Sequence, residues 1–111
     1  MKKLVRDLIP KLIRQSGRTP IVRQVTDLKE QKAVLFEKLD EEVQELKDGV
    51  SVEELCDVME VLSTIALVNG WTPGEIVAAG TRKRWEKGGF SEFFICEFPN
   101  PPSPFEDADD S

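Results

Sequence analysis

The 111-residue chain contains no histidine, and that absence removes several chemistries at once. A Ser-His or Cys-His nucleophile pair, a histidine-ligated zinc and an imidazole general base are all excluded. Cysteine is scarce. Cys56 and Cys96 lie forty positions apart in apolar surroundings and form no CxxC pair, so they read as two reduced, buried thiols. No apolar run approaches the ~18 residues of a membrane span, and Met1, Lys2 and Lys3 are not followed by a signal-peptide core. These absences predict a cytoplasmic protein with no membrane partner. Its chemistry must draw on carboxylates, lysines, arginines, hydroxyls or a metal ion.

What the chain does have is charge, at 32% of its residues, beside 40% hydrophobic residues, a balance suited to one compact soluble domain. The net charge of −6 is unevenly spread. Residues 1–23 carry seven basic side chains and one acidic one, whereas residues 37–60 carry ten acidic side chains against Lys38 and Lys47. Residues 82–87 return to basic with Arg82, Lys83, Arg84 and Lys87. An acidic balance argues against nucleic acid as a partner, since a general binder shows a dominant basic field. An acidic block between basic blocks suits a cation site that also receives an anionic ligand. It is also the pattern of a solvated helix face with flanking ion pairs.

Helix signals divide the chain. Pro10 suits the first turn of a short helix over residues 10–16 that stops at Gly17. Asp27 followed by Glu30 is a capping box opening a long helix that ends at Gly49, and Ser51 with Glu54 opens a second that ends at Gly70. Thr72, Pro73 and Glu75 open a last helix that closes at Gly88 and Gly89. Residues 21–25 and the Phe-rich residues 90–98 read as strands, paired in a ribbon. The fold expected is therefore all-α, of the four-helix-bundle type, with a minor two-stranded β-ribbon. One domain is expected over residues 1–98, followed by a disordered acidic tail over 99–111.

Several carboxylates fall where apolar residues belong. At ~100° per residue, with Glu42 set at zero, Leu35, Leu46, Leu28 and Leu39 lie between roughly 20° and 60°. Glu42 thus sits inside the apolar arc of its helix, and Glu45, at about −60°, just inside its border. Glu37, Asp40, Glu41 and Asp48 point away and read as solvated surface. The helix that follows is apolar on nearly every side, which predicts that it is largely buried. Asp57 interrupts its apolar run, and Glu54 lies about 60° away. Both pairs, Glu42-x-x-Glu45 and Glu54-x-x-Asp57, have the i,i+3 spacing that places two side chains on one helical face. Two such helices packed antiparallel converge four carboxylates. Like charges this close resist joint ionisation, a conflict that Mg²⁺, a hard cation preferring oxygen ligands, resolves. Glu54 also completes the capping box with Ser51, which explains it without a metal, and Glu45 can reach solvent at the stripe's edge. The metal reading fails if Glu42 and Asp57 lie more than about 12 Å apart.

The segments KLVRDLIP, EKLDEEVQELKDG, EELCDVMEVL and RKRWEKGGF together resemble the MazG-like, all-α nucleoside triphosphate pyrophosphohydrolases, including their phosphoribosyl-ATP pyrophosphohydrolase-like branch, over roughly residues 2–97. The resemblance implies Mg²⁺ bound by Glu42, Glu45, Glu54 and Asp57, with Mn²⁺ as a substitute. It implies a homodimer or homotetramer with sites at or near subunit interfaces. It also implies cleavage of a nucleoside triphosphate, or a related nucleotide, to the monophosphate and pyrophosphate. Many MazG domains carry an Asn before the basic segment, and none lies between Gly70 and Phe90 here, so recognition of the sugar or base departs from that pattern. With no His, Glu45 is the candidate to accept a proton. Lys83, Arg84, Lys87, Lys38 and Arg6 are the candidates for binding substrate phosphate, although basic residues near a helix C-terminus also complement its dipole. Two other functions fit the same residues: a non-catalytic helical dimerisation or regulatory module that retains an acidic metal site, and a partner-binding protein working through its acidic tail.

Overall fold

A computed structural model describes residues 2–98; the acidic tail expected over 99–111 lies outside the described residues. The described residues form four α-helices and no strand, an all-α arrangement. Helix α1 spans Ile9–Gln15, α2 Leu28–Asp48, α3 Val52–Val68 and α4 Pro73–Lys87. None of these helices is long and apolar enough to cross a membrane. The chain divides into two compact units, one reaching to Ala79 and one beginning at Gly80.

Local chemistry sets the helix ends. The Asp27 side chain accepts a hydrogen bond from the Glu30 amide at 2.9 Å, and Ser51 Oγ accepts one from the Glu54 amide at 3.1 Å. Each satisfies a backbone donor that its helix leaves orphaned. At α3's other end, Gly70 adopts φ +88°. Its amide reaches Leu67 O at 3.0 Å while the Trp71 amide reaches Ala66 O at 2.9 Å, a Schellman closure that needs a left-handed residue.

In the first unit α2 packs against α3. The connection of residues 49–51 is too short for anything but a reversal of direction, so the pair is an antiparallel hairpin. It does not complete a four-helix bundle, because α2 with α3 is the one packed pair in this unit. The buried hydrophobic residues are Leu35, Val61 and Ala66. The expectation that α3 is largely buried is corrected: Leu55, Met59, Leu62 and Leu67 are all exposed, since α2 covers one side of it only. The two strands are corrected as well. Residues 21–25 and 90–98 have no strand structure. Phe93 takes φ 53° and donates its amide to Phe90 O at 3.1 Å, a turn that an extended strand cannot contain. Cys56 and Cys96 are free, as expected, but exposed rather than buried.

A Cβ on Gly70 would meet no atom within 4 Å, so the cost of Gly70→Ala comes from the backbone alone. Urea unfolding of Gly70→Ala should show a stability loss of about 1 kcal/mol, without change in the slope of the transition.

Candidate metal centre

Glu42 and Asp57 are nearly equidistant from the α2–α3 turn, as are Glu45 and Glu54, so the hairpin sets each pair at one level. One oxygen from each of Glu42, Glu54 and Asp57 lies within 4.8 Å of the others, far inside the 12 Å limit. A second group, Glu41, Glu42 and Glu45, meets the same distance. The four carboxylates picked out by spacing therefore divide between two overlapping groups with Glu42 common to both.

Glu42 is the centre of the arrangement in burial as well as position. It is 6% exposed and is the one buried charged residue among those described. Lys38 Nζ reaches its Oε1 at 3.1 Å, while Oε2 is buried without a partner. Glu54 Oε2 is likewise buried and unpartnered. This bears on whether the capping box alone accounts for Glu54. At α4 the box is reciprocal: the Glu75 amide donates to Thr72 Oγ1 at 3.1 Å, and the Thr72 amide donates to Glu75 Oε2 at 2.9 Å. At α3 only the Ser51 half forms, so the cap leaves the Glu54 carboxylate uncommitted. An unpaired carboxylate oxygen held away from water costs several kcal/mol. Two of them beside Asp57 suit an oxygen-ligated divalent cation, with Glu42, Glu54 and Asp57 as the residues that would hold it.

Basic side chains frame the acids. Arg6 Nη2 lies 2.7 Å from Asp57 Oδ1, and Lys3 Nζ lies 3.0 Å from Glu41 Oε1. Lys38 also reaches Glu41 Oε2 at 3.3 Å. Burial of Lys38 on its own would lower its pKa, but the hydrogen bonds to Glu42 and Glu41 outweigh it and raise the value. Hydrogen bonding to Lys3, then to Lys38, lowers the pKa of Glu41 despite partial desolvation. Glu45 behaves oppositely. It is exposed, and the charge of Glu42 close by, with Glu54 and Glu41 adding to it, raises its pKa.

Arg6 and Lys38, expected to bind substrate, are thus each engaged with a carboxylate of the centre. Lys38 also lines a groove of about 270 Å³ with Lys2, Lys3, Leu4 and Val34. Lys83, Arg84 and Lys87 belong to the second unit. There they line a concavity of about 330 Å³ with Gly88, Gly89 and Phe90. Sequence reasoning missed Glu41 and Lys3. Glu41 falls outside the apolar arc and was expected at the solvated surface, yet it is half-buried. Its i,i+3 spacing from Lys38 is the signal that could have found it; Lys3 left no signal of comparable strength.

Comparison with known proteins adds little chemistry. A protein of Mycolicibacterium smegmatis described as uncharacterized is 60% identical over 47 residues, which cover 42% of this chain and 47% of that protein. The chain thus matches less than half of that relative's length. No family model matches the chain, and no solved structure matches it.

The raised pKa of Glu45 means that folding favours its protonated form in the metal-free protein. The repulsion is absent below the unfolded carboxyl pKa and is felt once the pH rises through the folded one. In chelator at pH 7, Glu45→Gln should therefore melt at a higher temperature than the wild type. That gain should vanish below about pH 4, where the wild-type carboxyl is itself protonated, as thermal melts at both pH values would record.

Proposed function

We propose that this protein is a divalent-metal-dependent nucleotide pyrophosphohydrolase. It would cleave a nucleoside triphosphate, or a related nucleotide, to the monophosphate and pyrophosphate in the cytoplasm, in keeping with removal of unwanted nucleotides. The observation that carries the proposal is the pair of buried, unpartnered oxygens on Glu42 and Glu54 gathered with Asp57. The resemblance of four sequence segments to the MazG-like enzymes supports the same reading.

In this scheme Glu42, Glu54 and Asp57 hold Mg²⁺, or Mn²⁺ in its place, with Glu45 closing the set from its shared contact with Glu42. A divalent cation held there would offer positive charge to phosphate oxygens and make a nearby water easier to deprotonate. Glu45 is the proton acceptor, because the chain has no histidine and Glu45 is the exposed carboxylate at the border of the set. Lys38, on the groove beside the acids, and Arg6 offer cationic groups to the anionic substrate. Lys83, Arg84 and Lys87 are assigned to phosphate binding within their own unit.

The oligomer belongs to the same proposal. A two-helix hairpin with so small a buried core leaves one face of α3, carrying Leu55, Met59 and Leu62, in water. A second copy of this chain laid across that face would complete a four-helix arrangement from two hairpins. The exposed α3 face also suits a non-catalytic dimerisation module, and activity separates the two readings.

Pure protein incubated with Mg²⁺ and a panel of canonical and modified nucleotides should release pyrophosphate from at least one of them. Asp57→Asn should lower that rate by about a hundredfold or more; no release across the panel leaves the module reading in place. Light scattering should give a dimer or tetramer, and Leu62→Asp should shift it toward monomer, whereas a monomeric wild type would overturn the assembly.

A further inference from the structure

The segment over residues 2–8, ahead of α1, has no helix or strand of its own before its last residues enter a turn. Its backbone hydrogen bonds are local: the Ile9 amide donates to Arg6 O at 3.0 Å and the Leu12 amide to Leu8 O at 3.0 Å. What ties this segment to the hairpin is chiefly charge. Lys3 pairs with Glu41 at 3.0 Å, Arg6 pairs with Asp57 at 2.7 Å, and Leu4 is half-buried. Both anchoring acids belong to the metal centre. Glu41 is in one carboxylate group, Asp57 in the other, and the two groups share Glu42. The segment is therefore docked on one carboxylate that a divalent cation would use, Asp57, and on Glu41 beside the set.

A guanidinium and a divalent cation seek the same carboxylate charge and repel each other. The Arg6–Asp57 pair is open to water, with side-chain exposures of 51% and 38%, and pairs this exposed hold weakly. Exchange at Asp57 requires no rearrangement of Leu35, Val61 or Ala66. We infer that Arg6 and a divalent cation compete for Asp57, so that metal binding undocks the N-terminal segment and frees the Arg6 guanidinium for an anionic oxygen of the substrate. This rests on the metal-site reading above. Arg6 is then a substrate-binding residue whose partner changes with the state of the site: Asp57 in the metal-free protein, phosphate in the metal-loaded one.

Linkage makes the coupling reciprocal: whatever the segment costs the metal, the metal costs the segment. An arginine that instead braces Asp57 as a ligand would act with the opposite sign, since losing an outer partner weakens metal binding. Titration calorimetry of the full chain with Mn²⁺ should show Arg6→Ala binding about two- to fivefold more tightly than the wild type, the equivalent of one exposed ion pair. Arg6→Lys should fall between them. Independently, saturating Mn²⁺ should speed tryptic cleavage of the wild type after Lys3 and Arg6, followed by mass spectrometry, while cleavage after Arg18 keeps its rate. Equal or weaker Mn²⁺ binding by Arg6→Ala, or protection of the Arg6 bond by Mn²⁺, overturns the exchange and leaves the metal site standing. Absence of Mn²⁺ binding by the wild type overturns both.

Discussion

A carboxylate enclosed between two helices is the constraint around which this protein is organised. Glu42 occupies the α2–α3 seam at 6% exposure, a position that an apolar residue would fill without cost. Burying a charge is tolerated only where counter-charge and hydrogen bonds stand close by. The chain supplies part of that compensation from Lys38, one helical turn away on the same helix. More arrives from Lys3 and Arg6, which neutralise the neighbouring Glu41 and Asp57. Two oxygens stay unserved. The seam is therefore an anionic receptacle framed by basic side chains, and its electrostatics differ in kind from the surface ion pair of Arg23 with Glu30, where a bidentate contact closes on itself.

Putting carboxylates in the seam has a consequence for packing. A helical hairpin has one internal face per helix, and here part of that face is polar. The apolar area left to stabilise the pair centres on Leu35, Val61 and Ala66. Stability of a small domain is a narrow difference between large opposing terms, so a hairpin with this seam gains greatly from any further surface that α3 can cover. The inner face of α3 is shared between Glu54 and Asp57 near its start and the apolar Val61 and Ala66 further along, while Leu55, Met59 and Leu62 stay on the outside.

Much of this architecture was legible in the residues themselves. The bounds of α2 follow from Asp27 at one end and Gly49 at the other, and the placement of Glu42 follows from helical periodicity against Leu35, Leu39 and Leu46. These features depend on neighbours within a few positions, which sequence order displays directly. The errors fall where distant contacts decide. The Phe-rich residues 90–98 have the composition of a strand, but Phe93 adopts a left-handed conformation that composition does not record. The apolar character of α3 was read as burial, yet it describes the helix without saying what covers it. Glu41 looked solvated because periodicity sees only α2, whereas one of its two partners, Lys3, stands 38 positions away. The Ser51 box was correctly placed as a cap, but whether the Glu54 carboxylate turns back onto the backbone or toward Glu42 is a choice made by the opposite helix.

The connector between α2 and α3 spans only residues 49–51. Surface loops ordinarily accept insertions and deletions at small thermodynamic cost. This one acts as a ruler. A residue added to it must be absorbed within those few positions, or it winds α3 by about 100° and carries Asp57 away from Glu42. Drift in length is open to the chain elsewhere, but at this turn it would disperse the carboxylates while leaving both helices intact.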